Sequence, residues 1–161
     1  MSDVELESRI ALLELPMGGG PDVRERERAA EWLLSHADRA YPELLARARA
    51  GRAGPAALEL LGRFGRDDSV PVLAGLLEEA DARGFSAARA LAAHPAAAAM
   101  TVLREALRSG GDRAVLAADA LGARGDVGAC AALEEASADP DPRVRYHAIQ
   151  AAGLLNRLRE K

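Results

Sequence analysis

Residues 112–126 read Asp112-Arg113-Ala114-Val115-Leu116-Ala117-Ala118-Asp119-Ala120-Leu121-Gly122-Ala123-Arg124-Gly125-Asp126. The stretch spells a helix with both ends marked. Asp112 is of the type that caps helix N-termini, and Val115, Leu116, Ala117, Ala118, Ala120 and Leu121 supply the apolar positions. Gly122 and Gly125 bracket the end, with Gly125 suited to left-handed backbone. Asp126 then starts a second helix, in which Cys130, Leu133 and Ala136 lie at i, i+3 and i+6 on one face.

The same unit recurs along the chain. Leu61-Gly62, Leu91-Ala92, Leu121-Gly122 and Ala152-Gly153 place their second members at 62, 92, 122 and 153, and Leu73, Leu103 and Leu133 keep a spacing of thirty. Self-similarity at such a period marks a stacked-repeat protein. Ala29, Ala30, Leu33 and Leu34, then Tyr41, Leu44, Leu45 and Ala48, form the first helix pair. A helix from about Pro55 to Phe64, ended by Gly65, begins the second; Asp68 is its expected second cap, with Pro71 in the first turn and Val70, Leu73, Leu76 and Leu77 facing the core. The third runs from Ser86 to Arg108, with Leu91, Met100, Leu103 and Leu107 inside and its turn at His94-Pro95, because a residue before proline leaves the helical region. Asp141 and Pro142 start a lone fifth helix reaching about Leu158. Ahead of the repeats, Ser2 to Leu15 reads as an amphipathic helix. Ser2 and Glu5 have capping-box spacing, Leu6, Ile10 and Leu13 share a face, and residues 16–21 form a breaker. Its expected role is to cap the end of the stack, the alternative being a helix that docks on a partner.

Bulk composition agrees. The chain has 161 residues, 49% hydrophobic but only 3% aromatic, so its apolar content is mainly Ala and Leu, the best helix formers. No segment alternates with period two over a strand's length. Net charge is −4, with Arg and acids interspersed as in Arg24-Glu25-Arg26-Glu27-Arg28, so no nucleic-acid partner is expected. The single Cys130 excludes an internal disulfide. An acidic N-terminus and the lack of a long apolar run predict a cytoplasmic protein with no membrane partner.

Val144-Arg145-Tyr146-His147-Ala148-Ile149-Gln150-Ala151-Ala152-Gly153 resembles the first helix of a HEAT repeat, in the short variety of phycobilisome-lyase-like HEAT proteins. Asp141-Pro142, Val144-Arg145, Ala117-Ala118, Ala120-Leu121-Gly122, Gly125-Asp126, Val70-Pro71 and Leu73 match the family pattern piecewise over residues 22–158. Departures are Ala92 and Leu34 where the pattern has Gly, and Thr101 where it has Pro. The resemblance implies an all-α, right-handed α-solenoid of stacked antiparallel helix pairs, about four and a half repeats plus the N-terminal helix, in one domain over 1–161. First helices would line its convex side and second helices its concave side.

Catalytic signals are sparse. His36 and His94 fall just past the first helices of repeats one and three, roughly 20 Å apart at about 10 Å per packed layer, too far to share a metal. His147 lies beside Tyr146, and no metal or other cofactor is expected. Cys130 aligns with Tyr41, Val70 and Met100, and Trp32 with Leu60, Ala90 and Ala120, so both read as packing residues. Gly18-Gly19-Gly20 lacks the Lys-Ser/Thr of a phosphate loop. Glu78-Glu79 and Glu134-Glu135 are adjacent on helices and point apart.

The expectation is therefore a non-enzymatic scaffold that binds a protein or peptide on the concave face. The expected contact residues are Arg104, Glu105, Glu134 and Glu135, with Arg49, Glu78 and Arg108 a turn later. The alternative is an enzyme or enzyme helper of the bilin-lyase-like or DNA-glycosylase-like HEAT type. A homo-oligomer through the C-terminal helix, with its Ile149, Leu154 and Leu155, is a third possibility.

Overall fold

The structure, a computed structural model, describes residues 3–15, 22–79 and 81–159. The breaker at 16–21 and Ser2 of the expected capping box lie outside them. Among the described residues the chain forms ten α-helices and no strand. They are α1 Asp3–Glu14, α2 Val23–Ser35, α3 Ala37–Arg49, α4 Pro55–Phe64, α5 Val70–Leu76, α6 Ala82–Ala93, α7 Ala97–Arg108, α8 Gly111–Arg124, α9 Cys130–Ala136 and α10 Pro142–Arg159. Short 3₁₀ turns, Asp67–Ser69 and Val127–Ala129, lead into α5 and α9.

Packing follows chain order. The first helices of successive units touch, α4 on α6, α6 on α8 and α8 on α10. The second helices do likewise, α5 on α7 and α7 on α9, and each second helix also meets the following first helix. This nearest-neighbour pattern is consistent with a helical repeat. One buried layer of Ala and Leu runs through it, including Leu58, Leu73, Leu91, Leu103, Leu121 and Leu133, all fully buried. A buried Leu contributes roughly 1.5–3 kcal/mol.

Helix ends show where local signals suffice. Gly65 and Gly125 end α4 and α8 at φ 67° and 76°, in the left-handed region that only glycine enters without strain. The Asp126 carboxylate accepts from the Gly128 N–H at 3.1 Å, and Asp141 from the Arg143 N–H at 2.8 Å. Three starts differ from expectation. Helix α6 begins at Ala82, before Ser86, because Asp81 caps it by accepting from the Arg83 and Gly84 N–H groups. Gly110 holds the cap position of α8, which puts Asp112 in its first turn, where Arg143 reaches it at 2.5 Å. Asp68 does not cap α5; it lies within the 3₁₀ turn and accepts the Tyr41 hydroxyl proton.

Helix α1 buries Leu6, Ile10 and Leu13 and packs on α2 and α4. Arg47 of α3 fastens its other side, donating to Glu7 at 2.5 Å and Glu14 at 3.3 Å while also holding Glu43. Although burial works against the charge, the hydrogen bonds it donates to Glu43 and Glu7 hold the Arg47 guanidinium above its ordinary range.

Tyr41 is buried with its ring edge on Phe64, and Arg66 lies 4.6 Å over its face. Burial, then the hydrogen bond to Asp68, pushes its phenol up to about 12. The folded state thus holds this proton more tightly than the unfolded chain. The resulting stability is complete below pH ~10 and is lost as pH rises through about 12. Wild type should lose up to about 2 kcal/mol across that window that Tyr41→Phe does not lose. Urea melts at alkaline pH check this, and parallel losses in both proteins would remove Tyr41 as the responsible group.

Candidate functional site

The seven charged residues expected to contact a partner separate into two groups. Leu103 and Leu107 turn α7 inward, and Leu133 does the same for α9, so residues just after them face outward at about 100° per residue. Arg49, Glu105, Arg108, Glu134 and Glu135 are exposed on α3, α7 and α9, and none forms an ion pair or side-chain hydrogen bond with another described residue. Arg104 and Glu78 serve the fold instead. Arg104 reaches across units to the Asp126 carboxylate at 2.7 Å and lies so close to Gly128 that a Cβ there would meet its Nη2 at 2.9 Å. Glu78 falls beyond the end of α5 and accepts from Arg113 of α8 at 2.6 Å.

A second feature was not anticipated. A groove of about 620 Å³ runs over the outer faces of α6, α8 and α10. Ala88, Ala92, Ala120, Gly122 and Ala151 form its floor, with Phe85 and Leu154 exposed at its rim. Three of its polar side chains, Arg124, Asp119 and Arg89, are already engaged. Arg124 donates to the carbonyls of Ala92 and, at 2.8 Å, His94. Asp119 meets His147 Nδ1 at 2.6 Å, and Arg89 lies over the Phe85 ring and 3.5 Å from Glu59. The sequence signal was a recurrence of small residues on the first helices beside one aromatic, which reads equally as close helix packing.

The remaining chemically active side chains are structural in their surroundings. His94 is fully buried. Its Nδ1 accepts from the Ala96 N–H at 3.1 Å, which leaves the proton on Nε2, donated to the Arg66 carbonyl at 3.1 Å. The ring therefore ties the turn of one unit to that of the next. His36, at the equivalent place, folds back on its own helix, with Nδ1 2.8 Å from the Trp32 carbonyl and its ring stacked on the indole at 4.1 Å. Cys130 is buried. Glu78 and Glu79 are split between Arg113 and Arg83. Among the described residues no three His, Cys, Asp or Glu side chains converge as a metal site would need, and no helix is long and apolar enough to cross a membrane.

Neither a protein-family model nor a curated protein matches this chain.

Proposed function

We propose that the chain is a non-enzymatic protein-interaction scaffold, a HEAT-like α-solenoid that binds a protein or peptide through its second helices. The observation that carries this reading is the set of exposed charges Arg49, Glu105, Arg108, Glu134 and Glu135. They sit on helices anchored by buried leucines, so their backbones are already ordered, and the fold makes no use of their charge. Mixed signs held at set spacings favour one polar partner over others by electrostatic complementarity. The HEAT-like reading rests on the repeat period, the quoted motifs and the nearest-neighbour packing of the helices.

The competing reading, a bilin-lyase-like or DNA-glycosylase-like activity, would draw on the groove over α6, α8 and α10. That groove has Phe85 as its aromatic and its arginines and Asp119 tied to neighbours, whereas bilin or base recognition calls for several stacking rings.

A photo-crosslinking residue placed at Glu105 or Glu134 in the source cell should give adducts of the same mass. Placed at exposed Glu25 on α2, it should give none. Reversing Arg108 and Glu135 together should abolish the adducts. Equal labelling at Glu25, or adducts insensitive to the reversal, would remove the second helices as the binding surface.

A further inference from the structure

We infer that the groove over α6, α8 and α10 binds a small amphiphile bearing one carboxylate, with the carboxylate at Arg124 and the apolar chain on the alanine floor. The proposal is independent of the second-helix surface. It begins from why the groove is open. Near the end of α4, Arg63 crosses to Glu31 of α2 at 2.7 Å, a strap laid over two first helices. Ala93 and Ala123 hold the same place on α6 and α8, and both line the groove. Leu58 of α4 likewise gives way to Ala88 on α6. Short side chains thus leave about 620 Å³ of open space, a volume in the range of small-molecule sites. Helix α8 forms the middle of the groove, with α6 on one side and α10 on the other, so the space lies between units and not at an end of the stack.

The floor is apolar, and the charge beside it is not balanced. Arg89 has Glu59 at 3.5 Å, and Asp119 has His147 at 2.6 Å. No described carboxylate pairs with Arg124. Its two bonds, to the Ala92 and His94 carbonyls, both leave from Nη1, and neither Nη2 nor Nε has a partner among the described residues. A guanidinium bonded to neutral carbonyls keeps its full charge. Held in place by them, it is already ordered for a charge-assisted bond to a carboxylate. One uncompensated cation selects a monoanion, because a phosphate monoester would bring a second charge that the groove does not meet. The groove also sets the ligand's direction. Phe85 lies in the first turn of α6 and Ala92 in its last, about 10 Å apart along the axis at 1.5 Å per residue. Arg124 sits at the Ala92 end. The carboxylate therefore binds there, and a chain of medium length runs over Ala88 and Ala120 toward Phe85, whose ring is 44% exposed. Covering that ring and the alanine floor supplies the apolar part of the affinity.

Methyl NMR of the full chain, titrated with sodium decanoate below its micelle concentration, tests the proposal. The Ala88, Ala92, Ala120 and Ala151 methyl signals should shift and saturate, while that of Ala46, exposed on α3, should stay put. Decanol, which has the same chain without the charge, should bind about tenfold more weakly or less. Arg124→Gln should weaken decanoate by a similar factor and leave decanol unchanged. Because Arg124 also holds two carbonyls, a second variant guards against misfolding. Ala123→Glu changes an exposed residue, should keep the wild-type melting midpoint, and puts a carboxylate where the ligand's own must lie. It should also weaken decanoate about tenfold or more. Shifts that never saturate, or that reach Ala46 equally, overturn the proposal. So does decanol binding as tightly as decanoate, or Ala123→Glu binding decanoate as wild type does.

Discussion

Gly62→Ala destabilises the protein by about 3 kcal/mol or more, while Gly153→Ala, the same change at the equivalent place on α10, stabilises it by about 0.5–1 kcal/mol. In thermal melts the first lowers the midpoint by about 6 °C or more and the second raises it by about 1–4 °C. Both residues lie inside helices, where replacing glycine by alanine removes backbone freedom from the unfolded chain and favours folding. At Gly153 that is the whole effect, because the new methyl enters open space. At Gly62 the methyl would fall 2.2 Å from a carbonyl oxygen and 2.7 Å from two further backbone atoms of Ala90. Backbone cannot rotate away as a side chain can, so α4 and α6 must move apart and their interface opens. Ala92 is a natural control: it occupies the same place on α6 with a methyl group, buried, where the next helix is spaced to receive it. Equal midpoint shifts at Gly62 and Gly153 would show that the close approach of α4 to α6 is not what positions them.

Leu103→Ala costs about 2–5 kcal/mol and lowers the melting midpoint by about 4–20 °C. Leu103 is fully buried on α7, which packs against α5, α6, α8 and α9. Truncating it removes the transfer energy of three carbons and leaves a cavity at a junction that several helices share. Because contacts run between neighbouring units, a weak junction in the middle also loosens the coupling between the two ends, and the transition should broaden. Val127→Ala is the control. Val127 is 44% exposed, and its truncation should stay within about 0.5 kcal/mol. If the two melts coincide, Leu103 is not at a core position.

The repeats were legible because their signals are local. Gly65 and Gly125 announce left-handed ends, Asp141-Pro142 announces a start, and the leucine spacing selects the buried face. Each needs only a few neighbouring residues. The three displaced helix starts have separate causes. Asp81 supplies a cap upstream of Ser86, while Asp68 and Asp112 are engaged by groups that arrive from elsewhere, Tyr41 and Arg143.

The candidate site was less legible. The outward direction of Arg49, Glu105, Arg108, Glu134 and Glu135 follows from helical geometry alone. That Arg104 and Glu78 are already engaged does not, since their partners Asp126 and Arg113 stand 22 and 35 residues away. His94 shows the same limit. Its place after a helix was readable, but its burial and its bond to the Arg66 carbonyl arise only when two units meet.

For this protein, sequence alone determined the helical class, the period, the buried leucines and the outward rows of charge, because helix propensity and 3.6-residue periodicity act within a turn or two. Tertiary structure alone decided which charges remain unpaired, that a groove opens over α6, α8 and α10, and that Gly153 lies in open space where Gly62 meets the next first helix. Those properties belong to surfaces formed between units, and a surface between helices exists only once the helices have packed.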